Sequence, residues 1–251
     1  MGDGDLEKIV EKMGLYDIWT NMFPGIVFIG GLSTLHNYIK ILPNLIINTS
    51  YYMEKLFFIS NVPIYFPQNI YELFMLLIAS FFVGLILHEI SSNFKKIIFY
   101  KGKPSELLLN SEGKVFNQQQ IDEFIPIFTK LNNNHPFSEE KAKNRQESKK
   151  IFNYINSELQ ANDLAKKFVK LNVIYNSCCT LAVTMILLLV YIISYCIEFL
   201  LKKEFQKIIA LLNIVVVLIF LTYILINKSK RYYIYWTRSI IFAYNNIHKN
   251  S

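Results

Sequence analysis

Two long stretches of this sequence carry no charged side chain. Residues 171–197 form an uncharged run of 27 positions, and residues 208–227 form a second run of 20. About 20 apolar residues in a helix are enough to cross the hydrocarbon core of a bilayer. The two runs therefore predict an integral membrane protein, and the 53% hydrophobic composition agrees with that class.

Two shorter uncharged stretches predict two further spans. Residues 18–35 lack charge over 18 positions, Pro24 suits a first helical turn, and Pro43 cannot continue a helix, so we expect a span over about residues 22–42. Residues 73–87 are uncharged over 15 positions and extend back through Ile70 and Tyr71. The predicted fold class is an all-α integral membrane protein with four transmembrane helices and a small helical cytoplasmic domain between spans 2 and 3.

The Lys and Arg residues are distributed unevenly between the two sides of such a protein. With a cytoplasmic N-terminus, 21 of them lie inside and 4 lie outside. Because cytoplasmic segments are enriched in Lys and Arg, we expect a multi-pass protein of the inner (plasma) membrane with both termini cytoplasmic. The expected division is an amphipathic N-terminal helix at 1–17, spans 1 and 2 at 18–92, a helical cytoplasmic domain at 93–170, spans 3 and 4 at 171–227, and a basic cytoplasmic tail at 228–251.

Hydrophobic periodicity predicts helices in the cytoplasmic domain. Residues 118–131 form one of them, residues 132–136 break the chain, and a second helix begins after Ser138. The apolar face of the first helix consists of Ile121, Phe124, Ile125, Phe128 and Leu131. Because so small a domain has a marginal core, we expect the chain to form homo-oligomers.

Polar side chains recur along one side of the third span. With Leu187 and Tyr191 filling the steps between them, they follow one another at spacings of three or four, so on an α-helix they lie within about a third of the circumference. A membrane helix usually turns such a stripe towards other helices or water. We predict a pore lining in which Leu187 is an apolar constriction and Glu198 forms a carboxylate ring at the outer mouth. The predicted lining is Asn172, Asn176, Thr180, Thr184, Leu187, Tyr191, Ser194 and Glu198.

The first span also contains polar residues on one face, among them His36, Asn37 and Lys40. A Lys at the bilayer centre costs roughly 2.5 to 3.5 kcal/mol on insertion scales, so it needs water or a partner. Lys40 therefore extends to the outer interface, pairs with Glu198 or Glu72, or faces a water-filled vestibule. The sequence leaves these alternatives open.

Small residues in the first two spans predict close helix contacts. Gly30, Gly31 and Thr34 lie in the first span, and Ser80 and Gly84 lie one turn apart in the second. Residues of this size let two backbones approach each other in a membrane. We expect such contacts to support the oligomer.

No metal site or catalytic motif is recognisable in the sequence. The four histidines are far apart, and His88-Glu89 lacks a second histidine at the spacing of a helical zinc site. Cys178, Cys179 and Cys196 all lie in the third span, where a thiol behaves as a small apolar residue. We therefore expect neither an enzyme nor a bound cofactor or metal.

A group of cations in the second cytoplasmic helix lies away from any span. Cations next to spans are explained by topology and anionic lipid. This group either forms a solvated face, diluted by Glu139, Glu140 and Glu147, or holds a nucleotide or oligonucleotide. The predicted ligand-binding residues are Lys141, Lys143, Arg145, Lys149 and Lys150.

Short segments of the sequence resemble small bacterial membrane proteins of anti-phage defence islands. They are Pro24-Gly25, residues 84–90 (GLILHEI), residues 152–155 (FNYI) followed by Leu159-Gln160, and residues 172–177 (NVIYNS). With the four-span layout, they are similar to the membrane effector of the Hailong system, which works beside a nucleotidyltransferase that makes DNA oligomers. The resemblance implies an oligomeric ion channel that depolarises the infected cell. It also implies control by a nucleotide or DNA oligomer, made by a partner nucleotidyltransferase, on the cytoplasmic side.

Two functions of different classes are left open. In the first, the chain is a pore-forming effector whose third span lines the conduit. In the second, it is a non-conducting membrane anchor or adaptor that recruits a soluble partner through its cytoplasmic helices, and the polar stripe only holds the bundle together. The length of the stripe and the absence of catalytic motifs favour the pore.

Overall fold

The structure is a computed structural model that describes residues 18–46, 69–100, 102–109, 115–132, 135, 141–161 and 166–249. These residues form helices and connecting segments, and no strand occurs within these ranges. The predicted N-terminal helix at 1–17 lies outside them. The helices are α1 (Phe23–Ile46, preceded by a π-helical segment Ile18–Met22), α2 (Ile70–Ile98), α3 (Gln118–Leu131), α4 (Lys141–Ala161), α5 (Lys166–Leu201) and α6 (Phe205–Lys249).

Four of these helices, α1, α2, α5 and α6, are long and apolar enough to cross a membrane, so the predicted four-span, all-α fold is confirmed. Helix α1 continues past Pro43 to Ile46. The 36 residues of α5 and the 45 of α6 extend about 54 and 68 Å, because an α-helix rises 1.5 Å per residue. Both are longer than the roughly 30 Å hydrocarbon core, so each continues beyond the apolar run that predicted it.

Helix α3 begins and ends where its periodicity predicted. Its N-terminus is capped by Asn117, whose side-chain oxygen accepts a hydrogen bond of 2.8 Å from the N–H three residues further on. Ile121, Phe124 and Phe128 are buried, whereas Ile125 is 41% exposed. The buried face is therefore narrower than predicted.

The chain divides into two compact units. Met1–Phe94 and Asn176–Asn227 form the span unit, and Lys95–Tyr175 and Lys228–Ser251 form the flanking unit. The segment predicted as a basic tail at 228–251 is helical as far as Lys249, because α6 continues through it and contributes Ile240, Ile241 and Tyr244 to the core of the flanking unit. The domain predicted at 93–170 is thus completed by the end of α6.

Helices α1 and α2 cross with almost no side chain between them. A Cβ atom built on Gly84 would overlap the carbonyl oxygen of Asn21, and one built on Gly25 would overlap that of Ser80. The predicted close contact at Ser80 and Gly84 is confirmed, and both partners belong to the same chain. A Cβ on Gly30 would meet no described atom within 4 Å, so the contact predicted there is not made with any residue that the structure describes.

Each unit has its own hydrophobic core. The span unit buries mostly aliphatic side chains of α1, α5 and α6, namely Leu35, Ile39, Leu42, Leu188, Ile192, Phe199, Leu211 and Leu218. The flanking unit buries aromatic and aliphatic side chains of α3, α4 and α6 and of the segments before α3, among them Phe116, Phe124, Phe128, Phe152, Ile155, Ile240 and Tyr244. The polar residues predicted to have a function lie mainly on α5.

Candidate functional site

The predicted polar stripe of α5 changes from buried to exposed along the helix. Asn172 is half-buried, and Asn176, Thr180 and Thr184 are buried, the two threonines completely. Leu187 and Tyr191 are half-buried, and Ser194 and Glu198 are exposed. The stripe therefore has an inner part that faces other helices of the same chain and an outer part that is open.

The hydroxyls of the inner part are satisfied within α5. Thr180 donates to the carbonyl oxygen of Asn176 at 3.1 Å, and Thr184 donates to that of Thr180 at 3.0 Å. The Thr180 hydroxyl oxygen also lies 3.3 Å from that of Ser91 on α2, which itself donates to the His88 carbonyl at 2.8 Å. In this conformation these side chains face protein and not water. A pore role for them stays a prediction that requires α5 to turn.

Midway along the stripe the helix contacts α1 through an apolar residue. The buried leucine at this level is Leu188, whose Cδ1 would lie 2.8 Å from a Cβ on Gly31. Leu187, the predicted constriction, is half-buried beside it. Gly31 therefore makes the helix contact that its size predicted, with α5 as the partner.

Farther along, the structure joins residues that the sequence had placed in two separate groups. His36 Nδ1 on α1 lies 2.9 Å from the hydroxyl of Tyr191, which donates to the Tyr195 hydroxyl at 3.5 Å. Asn37 is half-buried and has polar contacts of its own. Ser194 donates to the Tyr191 carbonyl at 2.7 Å. The His36–Tyr191 pair is thus a polar contact between α1 and α5 towards the end of α5.

The end of α5 carries an exposed ion pair. Lys202 Nζ lies 2.5 Å from a carboxylate oxygen of Glu198, and this hydrogen bond raises the pKa of the Lys202 ammonium above its usual value. Glu72 accepts a hydrogen bond from Asn69. Neither carboxylate pairs with Lys40, which is exposed. The alternatives in which Lys40 pairs with Glu198 or Glu72 are therefore not found, which leaves extension to the interface or a vestibule.

Two of the predicted ligand-binding cations lie on the side of α4 away from the core. Lys149 and Lys150 are exposed, and Arg145 is half-buried with a polar contact. Ser148 and Ile151, between and beside them, are buried against the flanking unit. The side chains of the two remaining predicted residues, Lys141 and Lys143, lie outside the described part of the chain. No contact identifies a ligand here, so this site stays a prediction.

Sequence reasoning missed several polar residues that hold the span unit together. Ser177 donates to the Trp19 carbonyl at 3.0 Å, and Ser91 contacts Thr180. Asn21 lies at the helix crossing in a π-helical segment. The signal for Ser91 was its spacing from Gly84 and His88, one face of α2. The contact of Ser177 depends on a carbonyl in another helix and left no trace in the sequence.

Among the described residues, no three His, Cys, Asp or Glu side chains are close enough together to hold a metal ion. Cys178 and Cys179 are buried thiols, and Cys196 is half-buried. Comparison with protein-family models, curated proteins and solved structures gave no match.

Proposed function

We propose that this chain is an oligomeric membrane protein that conducts ions along α5. The observation that carries the proposal is the polar stripe, which extends from buried Asn176 to exposed Glu198, about 33 Å along a helix axis and as long as a bilayer is thick. A helix that only anchors a protein in lipid needs no polar groups at every turn. Several copies of the stripe around one axis would supply a polar lining that is interrupted only by the ring of Leu187 side chains.

The closed and open states proposed for α5 differ in what Thr180 and Thr184 face. Both hydroxyls donate to carbonyls of their own helix, so these bonds travel with α5 when it turns. The turn gives up the contact between Thr180 and Ser91 and the contact between Tyr191 and His36. Water would then replace Ser91 and His36 as partners, so opening costs few hydrogen bonds.

The test of conduction is the current carried by the purified protein in planar bilayers. Leu187→Asn should raise the resting conductance, because a polar residue at the constriction keeps water in place. Ile193→Asn is the matched control, since Ile193 is 41% exposed and has no stripe residue three or four positions away. If neither variant conducts more than the wild type while both insert normally, α5 is not the lining.

Substitutions of Glu198 and of Lys202 should change the preference for cations in opposite directions. Glu198→Gln removes a carboxylate and should weaken the preference for cations, whereas Lys202→Gln exposes that carboxylate and should strengthen it. Reversal potentials in a salt gradient report the preference of each variant. If the reversal potentials of both variants shifted equally and in the same direction, an electrostatic role of these residues at the mouth of the pore would be contradicted.

Control by a ligand is a separate part of the proposal. It rests on the resemblance to the Hailong membrane effector and on the exposed cations of α4. A DNA oligomer on the flanking unit would control opening and so let the protein depolarise an infected cell in anti-phage defence. Lys149→Glu together with Lys150→Glu should weaken binding of a short single-stranded DNA to the purified protein, with a shallower salt dependence. Gln160→Glu, on the exposed side of the same helix, is the control.

A non-conducting anchor or adaptor is the second candidate. It is favoured by the complete burial of Thr180 and Thr184, because buried and satisfied hydroxyls can simply hold a bundle together. Expression in cells with a potential-sensitive dye separates the two. An anchor leaves the membrane potential unchanged at every expression level.

A further inference from the structure

Between Lys207 and Asn227, helix α6 presents one exposed amide on a mostly apolar surface. Asn213 is exposed and lies in the uncharged run 208–227. Its neighbours on the same face are Ile209, Val216, Val217 and Phe220, which are 55 to 63% exposed. The opposite face of α6 packs in the core of the span unit through Leu211 and Leu218. Asn213 therefore points away from its own bundle.

The depth of Asn213 makes this exposure costly in a membrane. It follows Lys207, the nearest preceding charged residue, by six positions, or about 9 Å of helix. An asparagine side chain is too short to reach the interface from there, unlike a lysine. Asn213 forms no hydrogen bond with another described residue. Lipid tails offer no hydrogen bond to this side chain, so the amide needs a partner from outside the described bundle.

We propose that the partner is a second copy of this chain, docked through the same face of α6. A carboxamide carries both a donor and an acceptor, so two Asn213 side chains meeting across a symmetry axis satisfy each other. The flanking apolar side chains, Ile209, Val216 and Val217, supply the van der Waals contact around that bond. This interface deepens the oligomeric part of the proposed function and is independent of whether α5 conducts.

The interface is measured as the dissociation constant of the full-length protein in detergent or lipid, by sedimentation equilibrium or energy transfer between labelled copies. Asn213→Leu should raise the dissociation constant about 3- to 20-fold, from the strength of hydrogen bonds between membrane helices. Asn213→Gln should keep most of the affinity. Thr222→Val is the matched control on α6, because the Thr222 hydroxyl already donates to the Leu218 carbonyl at 2.7 Å.

Cross-linking gives a second measurement that leaves Asn213 in place. In a Cys196→Ser background, Val217→Cys should form a disulfide between copies on oxidation in membranes, whereas Leu218→Cys, 8% exposed, should not. The proposal is overturned if Asn213→Leu associates as tightly as the wild type, the result expected if lipid or residues 47–68 of the same chain cover the amide. It is also overturned if Val217→Cys and Leu218→Cys cross-link equally. Neither measurement involves currents, so a failure of this interface proposal can be told apart from a failure of the pore proposal.

Discussion

The two units of this chain pack in different ways. In the flanking unit, Phe124 contacts Phe116 and Phe242 with ring centroids 5.2 and 5.3 Å apart, in the edge-to-face geometry of aromatic cores. In the span unit, α1 and α2 meet backbone to backbone at Gly25 and Gly84. Water drives large apolar side chains together, whereas lipid does not, and spans associate through close contact. The difference indicates that one chain uses two kinds of packing.

The difference in packing between the two units can be tested because each unit contains one of the two tryptophans of the chain. Trp236 packs against Phe152 in the flanking unit with ring centroids 5.3 Å apart, and Trp19 packs against Phe23 in the span unit at the same separation. Fluorescence of variants that retain only one tryptophan therefore reports unfolding of one unit at a time.

The largest loss of stability is expected from a substitution in the aromatic core. Phe124→Ala removes a fully buried ring and should lower the free energy of unfolding of the flanking unit by about 3 to 5 kcal/mol. The neighbouring Ile125 is 41% exposed, so Ile125→Ala should cost far less. Urea unfolding followed by Trp236 emission measures both. Similar losses for the two variants would show that the ring cluster is not the core.

A smaller effect is expected at the helix crossing. Gly84→Ala forces a methyl group against the Asn21 carbonyl and should destabilise the span unit by roughly 1 to 3 kcal/mol. Gly30→Ala, which meets open space, should be neutral or slightly stabilising, because Ala has the higher helix propensity. Unfolding in a denaturing detergent, followed by Trp19 emission, measures the two variants. A Gly84→Ala protein as stable as Gly30→Ala would contradict close packing at Gly84.

The contact between Thr180 and Ser91 should contribute still less to the stability of the span unit. Thr180→Val removes that contact, in which one of the two hydroxyls shares its single proton with a carbonyl of its own helix, and it also removes the bond to the Asn176 carbonyl. Hydrogen bonds between membrane helices average about 0.6 kcal/mol with a maximum near 1.7 kcal/mol, and a shared proton places this contact at the lower end. Thr222→Val removes only a bond within its own helix and serves as the control. The difference between the two variants, by the same Trp19 assay, isolates the contact between α2 and α5. A difference of zero would assign the stripe no role in holding the helices together.

The smallest effect is expected at the exposed ion pair. Lys202→Ala separates Glu198 from its partner, but both side chains are about half exposed or more, so water compensates the loss. The unfolding midpoint of the span unit should not change measurably at 0.15 M salt. A clear loss of stability there would show that the pair is shielded from solvent, as it would be inside an oligomer.

The sequence predicted those features that repeat along one helix. The uncharged runs gave the spans, and the spacing of Ile121, Phe124 and Phe128 gave the bounds and the buried face of α3. It did not reveal that α6 continues past Lys228, because charged residues end an apolar run without ending a helix. The spacing of Tyr233, Ile240 and Tyr244 by sevens and fours was a signal for that continuation.

Features that depend on two helices were harder to predict. The stripe on α5 was visible, but which part of it is buried depends on where α2 and α1 lie. The choice between Leu187 and Leu188 as the buried residue likewise depends on Gly31 of α1. Asn213 was within a predicted span, yet its exposure became apparent only when Leu211 and Leu218 were seen to occupy the inner face of α6.

The contribution of α6 to the flanking core has a consequence for synthesis on the ribosome. Phe116, Phe124 and Phe128 emerge more than 100 residues before Ile240 and Ile241, which cover them. At about 5 to 20 residues per second, roughly 6 to 25 seconds pass before Ile240 and Ile241 are available to pack against these aromatic side chains. During that interval two further spans must enter the bilayer. A nascent chain of this kind depends on chaperones or on rapid insertion to avoid aggregation, and a premature stop codon after Asn227 would leave the aromatic surface permanently exposed.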